Sequence, residues 1–461
     1  MKVTVRDWAN RGQATNFAVS HAAVCQSLKP HNSKPVLTLR AVSHSILRPV
    51  GPWAIRHGRG SVLLVWLLCA MAGTAHGYSV LTHEELIDFT WKNLLRPTIQ
   101  KRFPQTTMAD LDKAHAFAYG GCVIQDLGYY PFSREIFSDL THYVRSGDFV
   151  ANLLRDARNA DEFAFALGAL SHYVGDTVGH HDAINRATAI AFPKLEKEYG
   201  ARVAYGQSSH AHIRTEFAFD IDQLSKHRLA PGAYLRAVGF RVPSRLLAQA
   251  FEETYSLPLE SVVGPHRPAV RSYRSSVRSF LPRIAYAETV IHKNDFPPEV
   301  ENDALKIFLY HVERADFQTE WNRYRRTAGF ETHLLAWIIR ILPKIGALSD
   351  LAIKIPTPDT QDLYVKSMNR AIDVYENFLH QSSYSIPNYD LDTGETTHPG
   401  AYALTDKTYA ALLHRIVSRP QQPIPREVTQ DILDYFSGGE ARMTNEIRKD
   451  LAVLRDLSHR P

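Results

Sequence analysis

Cysteine is scarce in this chain of 461 residues: Cys25, Cys69 and Cys122 are the only three. A chain processed near residue 77 would keep Cys122 alone, which excludes an internal disulfide and leaves packing or metal to stabilise it. Long apolar runs are also lacking. The strongest, residues 62–72, is well short of the roughly 20 residues a membrane-spanning helix needs. Alternating β-branched stretches between turn residues are few, which argues against a sheet protein. No internal repeat and no low-complexity segment stands out.

The body of the chain also lacks an excess of one charge. Residues 1–60 hold nine Lys and Arg against Asp7 alone, a net of +8, and residues 61–77 hold no charged side chain. The remainder carries 44 basic and 47 acidic residues. Such a body has no general footprint for polyanions. Residues 61–77, SVLLVWLLCAMAGTAHG, follow Arg56 and Arg59 and lead from an apolar run into small residues. That order is expected of a secretory signal, with an uncleaved anchor as the alternative. The 60 residues before it read as a disordered leader or a start codon set too early. The expected location is secreted or periplasmic.

From Tyr78 onward the pattern is helical. His83, Ile87 and Trp91 recur every fourth residue, and this first helix is expected to stop near Pro97. DLDKAHAFAYGG from Asp110 predicts a second helix ending at Gly120-Gly121, and EIFSDLTHYV a third. NADEFAFALGALSHYVGDTVG predicts a long one, capped by Asn159 or Asp161 and stopped by Gly179. HAHIRTEFAFDIDQL predicts another. The fold expected is all-α, a multi-helix bundle over 78–230 with a helix-rich region of unknown role over 231–461. Within that region, 333–355 is apolar but broken by Arg340, Pro343 and Lys344, which suits a core helix or an amphipathic segment on a lipid surface. NYDLDTGETTHPG (388–400) reads as a polar loop, its acids not spaced for calcium.

Metal-capable side chains crowd the long helix. His172 and Asp176 lie four apart and so share a face, and His180 lies four further on. His181 falls on the opposite side and competes with His180 only if Gly179 has ended the helix. His212 and Glu216 form a second i, i+4 pair, a natural two-point clamp for zinc. His210 points elsewhere on that helix. His83, Asp126 and His142 are isolated upstream candidates. Imidazole and carboxylate without thiolate suit zinc at more than one centre.

This ordered set resembles the zinc-dependent phospholipase C family, whose wider fold includes the S1/P1-type nucleases. The resemblance runs from Tyr78-Ser-Val-Leu-Thr-His83 through Asp126, His142 and HYVGD to His212-x-x-x-Glu216, over about residues 78–220. It implies up to three zinc ions in a helical bundle. His142, His172, Asp126 and Asp176 would hold one. His180, His212 and Glu216 would hold a second. The Tyr78 amine and carbonyl with His83 would hold the third, with Asp176 bridging. Asp126 would also be the base that orients the attacking water.

The Tyr78-to-His83 spacing is similar to the nuclease branch, and Glu216 to the phospholipase branch. Two departures stand out. Tyr78 replaces the family's usual Trp, so its backbone role requires cleavage after Gly77. The family's next His usually lies ten residues beyond the first, whereas His180 and His181 lie at eight and nine.

The activity implied is phospholipase C-like hydrolysis, with phospholipid or a membrane surface as partner. An S1/P1-type single-strand nuclease and a non-catalytic zinc-stabilised bundle are the alternatives. The charge balance makes nucleic acid the weaker expectation, and nothing points to a protein partner. Tyr129, Tyr130 and Phe132 are candidates for a choline or base pocket, or for packing around a turn.

Overall fold

The computed structural model describes residues 79–314, 320–344, 346–381, 384–438 and 443–458. Tyr78, the signal segment and the leader lie outside the described residues. The described architecture is helical, with one two-residue hairpin, β1 (Tyr389–Asp390) antiparallel to β2 (Glu395–Thr396). One apolar cluster runs from Val80 to Leu454 and so includes helices on both sides of residue 230. Among the described residues, no helix is long and apolar enough to cross a membrane.

Helix α1 (Val80–Thr90) is buried along its length, including His83, Glu84, Glu85 and Asp88. Its N-terminus is held from a distance. The Asp220 carboxylate accepts from the backbone N–H groups of Leu81 and Thr82, at 3.1 and 3.0 Å, and from the Thr82 hydroxyl at 2.7 Å. Asp220→Ala strands those donors and is expected to cost about 1–2 kcal/mol in a denaturant melt. Burial pushes this carboxyl up to about 6, against about 3.9 unfolded. The folded state therefore binds its proton more tightly, and the group's contribution to stability grows as pH falls from about 6 towards 4. Asp220→Asn should remove that part of the pH dependence.

Pro97 does not end the first helix. The chain passes through a π-helical turn, Trp91–Leu95, and Pro97 sits in the first turn of the next helix, where its missing N–H costs nothing. Helix α2 (Met108–Gly121) starts with a reciprocal cap between Thr107 and Asp110. Helix α3 (Ile136–Tyr143) follows. The long helix α4 (Ala160–Gly179) is capped by Asn159, whose side chain accepts from the Glu162 N–H at 3.0 Å.

Helices α2 and α4 lie in close contact because glycines face each other. A Cβ on Gly121 would stand 2.0 Å from the Phe165 carbonyl oxygen, and one on Gly168 would stand 2.2 Å from that of Ala118. This approach brings the end of α2 within reach of the α4 imidazole, His172.

Helix α5 (Ser209–Ser225) packs against α6 (Leu281–Ile291), which in turn packs against α7 (Phe330–Ile341). Helix α7 overlaps the first part of the apolar stretch 333–355 and is neither wholly core nor wholly surface. Ala336 and Ile339 are buried in a separate small cluster with Ile284, Ala287 and Leu351, while its other face is exposed.

Candidate metal centre

Three groups of side chains converge between α1, α3, α4 and α5. His83, His172 and Asp176 form one, Asp126, His142 and His172 a second, and His180, His212 and Glu216 a third. Within each group the potential ligand atoms lie within 4.8 Å of one another, and every member is buried. His172 belongs to two groups. His83 and His172 are stacked, ring centroids 4.3 Å apart.

The helical-wheel grouping of His172, Asp176 and His180 is corrected by the structure. Eight residues at about 100° each leave His180 roughly 80° round from His172. A π-helical turn, His180–Ile184, follows immediately. His180 therefore faces α5 and joins His212 and Glu216. His181 is partly exposed and pairs with Asp182 at 2.7 Å, away from the centre. His210 pairs with Asp350 at 2.7 Å.

Hydrogen bonds fix which ring nitrogen faces inward. His142 donates through Nδ1 to the Ser138 carbonyl at 2.8 Å, and His172 through Nδ1 to that of Cys122 at 3.1 Å. His180 donates through Nδ1 to the Leu391 carbonyl at 2.9 Å. His212 is reversed: its Nε2 donates to Asn185 Oδ1 at 2.8 Å, and its Nδ1 lies 2.6 Å from Glu216 Oε1. A carbonyl can only accept, so each of these rings presents a lone pair to the interior when neutral.

The interior is consequently a cage of acceptors. The Nε2 atoms of His142 and His172 face each other at 3.4 Å. Asp176 Oδ2 lies 3.3 and 3.0 Å from them, and Asp176 Oδ1 lies 3.2 Å from His83 Nε2. Asp126 Oδ1 is 3.4 Å from His142 Nε2, and neither Asp126 oxygen has a hydrogen-bond partner. Buried polar atoms are rarely left unpaired, and so many converging acceptors call for positive charge.

The titration behaviour agrees. Burial opposes charging His142, yet Asp126 and Asp176 hold its imidazolium well above the usual range. Burial likewise opposes ionising Asp176, yet His172, His142 and His83 hold it well below the ordinary carboxylate value. In the third group, burial pushes the Glu216 carboxyl well up and the His212 ring well down. A divalent cation would compensate both sets, and a nitrogen–oxygen donor set of this kind suits zinc.

A family model described as zinc dependent phospholipase C matches residues 82–262. That segment is a domain of the zinc-dependent phospholipase C family. It is a hydrolase family, and over that segment the chain is similar to a zinc-dependent phospholipase C. Neither the curated proteins nor the solved structures yield a match.

The phospholipase C domain does not hold its ligand candidates unaided. Hairpin β1–β2 and the loop between its strands come from well beyond residue 262. The backbone of Leu391 links two of the side-chain groups, its N–H donating to the His142 carbonyl at 3.1 Å and its carbonyl receiving His180. The buried Asp392 carboxylate accepts from the hydroxyls of Tyr143 and Tyr402, at 2.8 and 2.6 Å, and its Oδ1 lies 3.7 Å from His180 Nδ1. The Asp392 carbonyl accepts from Asn185 Nδ2 at 2.8 Å, the same Asn185 that receives His212.

The stretch expected to be a plain polar loop is therefore the outer support of the site. Asn185, Leu391 and Asp392 were not among the sequence candidates. The one available hint was Leu391 flanked by acids, an apolar residue out of place in a solvated loop. Of the aromatic candidates, Tyr129 and Tyr130 are buried, while Phe132 is 66% exposed at a positive φ of 70°.

Proposed function

We propose that this chain is an exported phospholipase C, hydrolysing a phospholipid to diacylglycerol and a phosphorylated head group. The observation that carries the reading is the buried cage of acceptors, lying within a segment of matching family. Zinc held in such a cage would supply a water of lowered pKa and polarisation of a phosphoryl oxygen.

The chain's own residues supply the rest. His142, His172, Asp126 and Asp176 would hold one ion, His180, His212 and Glu216 a second, and His83 with the Tyr78 backbone a third. Asp126 Oδ2, free of other partners, is suited to orient the attacking water and take its proton. Carbonyls and amides behind the imidazoles keep the lone pairs aimed inward, so no reorganisation is needed as charge develops on the phosphate. Export is supported by the order of charge, apolar run and small residues before Tyr78.

The test is release of phosphocholine from phosphatidylcholine by the processed protein, lost with chelator and restored by zinc. Digestion of single-stranded DNA with phospholipid left intact would favour the nuclease alternative. Loss of folding without zinc, and turnover of neither substrate, would leave a structural bundle.

The support from Asp392 gives a separate expectation. Asp392→Asn should weaken metal binding at the His180 group by about 10–100-fold, read by competition with a chromophoric chelator. Unchanged affinity in a folded variant would show that Asp392 serves packing alone.

A further inference from the structure

Helix α7 buries Ala336 and Ile339 and exposes an apolar stripe opposite them. Phe330 is 81% exposed, Leu334 44%, Trp337 58% and Ile341 58%. These positions are spaced four, three and four apart, so they form one continuous line along the helix. A contiguous exposed stripe of two aromatics and two branched aliphatics differs from scattered surface hydrophobics and marks a contact surface.

Its setting identifies the occupant. Residues 320–344 carry Arg323, Arg325, Arg326, Arg340 and Lys344 against Glu320 and Glu331. Arg323, Arg326 and Arg340 are exposed. An apolar line with an aromatic anchor, exposed Arg323 and Arg326 before its start and exposed Arg340 in its last turn suits a lipid surface bearing anionic head groups.

The competing occupants fit less well. A second copy would set this cationic rim against its own image across a two-fold interface. The chain's own apolar run at 62–72 follows a leader of net +8, again cation against cation. The layer order also connects the stripe to the chemistry. Helix α7 packs on α6, and α6 on α5, which carries His212 and Glu216. Phe217, next to Glu216, packs against the cluster that holds Ala336 and Ile339.

We infer that the exposed face of α7 seats the enzyme on a membrane surface containing anionic lipid, an inference that rests on the phospholipid reading for its purpose but not for its measurement. The experiment compares the processed wild-type protein with the Phe330→Ser/Trp337→Ser double variant. Both are sedimented in the cold with vesicles of phosphatidylcholine containing about one-third phosphatidylserine. Two large apolar anchors lost from the bilayer boundary should weaken binding at least about tenfold. Raised salt should weaken the wild type further.

Both proteins are also assayed on a short-chain phosphatidylcholine kept monomeric, where rates should agree within about twofold because no lipid surface is present. Equal vesicle binding by wild type and double variant overturns the inference. So does failure of the wild type to bind, and so does a wild-type dimer that the double variant abolishes. Vesicle binding that depends on these residues, with no turnover of either phospholipid, supports the surface while sinking the phospholipase reading.

Discussion

Asp176→Asn is expected to lower phospholipid hydrolysis by roughly 10²–10³-fold or more, in line with removal of a group that stabilises developing charge. It should also reduce zinc per chain. The reason is placement. Oδ1 faces His83, and Oδ2 faces both His142 and His172, all within 3.3 Å, so one carboxylate serves two groups of ligands. An amide carries no charge and turns an N–H₂ donor towards imidazoles that have lone pairs to offer. Elemental analysis and a kcat measurement on the purified variant decide the matter. Full metal content at wild-type rate would remove Asp176 from the centre.

Asp126→Asn should behave differently. The expected loss is about 10²–10⁴-fold in kcat, the range for a positioned general base, with the fold retained. The Asp126 carboxylate receives no hydrogen bond from the protein, so the amide leaves no donor stranded, and the thermal melt should move little. The pair of variants separates two roles that share one cage. Asp126 is also a proposed ligand of one ion, so both variants should lose some metal; Asp176, which faces two groups, is identified by the larger metal loss, and Asp126 by a fall in kcat that persists when zinc is resupplied in excess. If Asp126→Asn turns over at close to the wild-type rate, the proton goes elsewhere.

The sequence made much of this arrangement legible, for identifiable reasons. The i, i+4 spacing of His172 with Asp176, and of His212 with Glu216, survives folding because an α-helix brings such pairs to one face whatever it packs against. The bounds of α4 followed from the Asn159 cap and Gly179, and the end of α2 from Gly120-Gly121, because these act locally, whereas α2 starts at Met108 on a Thr107 cap and not at Asp110. Pro97 misled because proline is tolerated in a first turn as readily as it breaks an interior one. His180 could not be placed by spacing alone, since a π-helical turn and accumulated rotation decide which neighbour it meets.

The support from Leu391 and Asp392 was the least legible. Backbone carbonyls leave no mark in a sequence, and an aspartate looks solvated until two tyrosine hydroxyls are found on it. Of the proposed ligands, Tyr78 lies outside the described residues; N-terminal sequencing of the exported protein should read Tyr-Ser-Val-Leu-Thr, and any other start would remove its amine from the ligand set.

The carbonyl that orients His180 comes from 211 positions further along the polypeptide. During synthesis, therefore, the stretch bearing most of the ligands emerges long before the residue that locks this imidazole in place. A chain released only as far as residue 262 would lack that carbonyl and should hold metal at the His180 group more weakly. Firm retention of an ion by that group should then depend on the far end of the polypeptide having docked, which ties cofactor loading to completion of the fold.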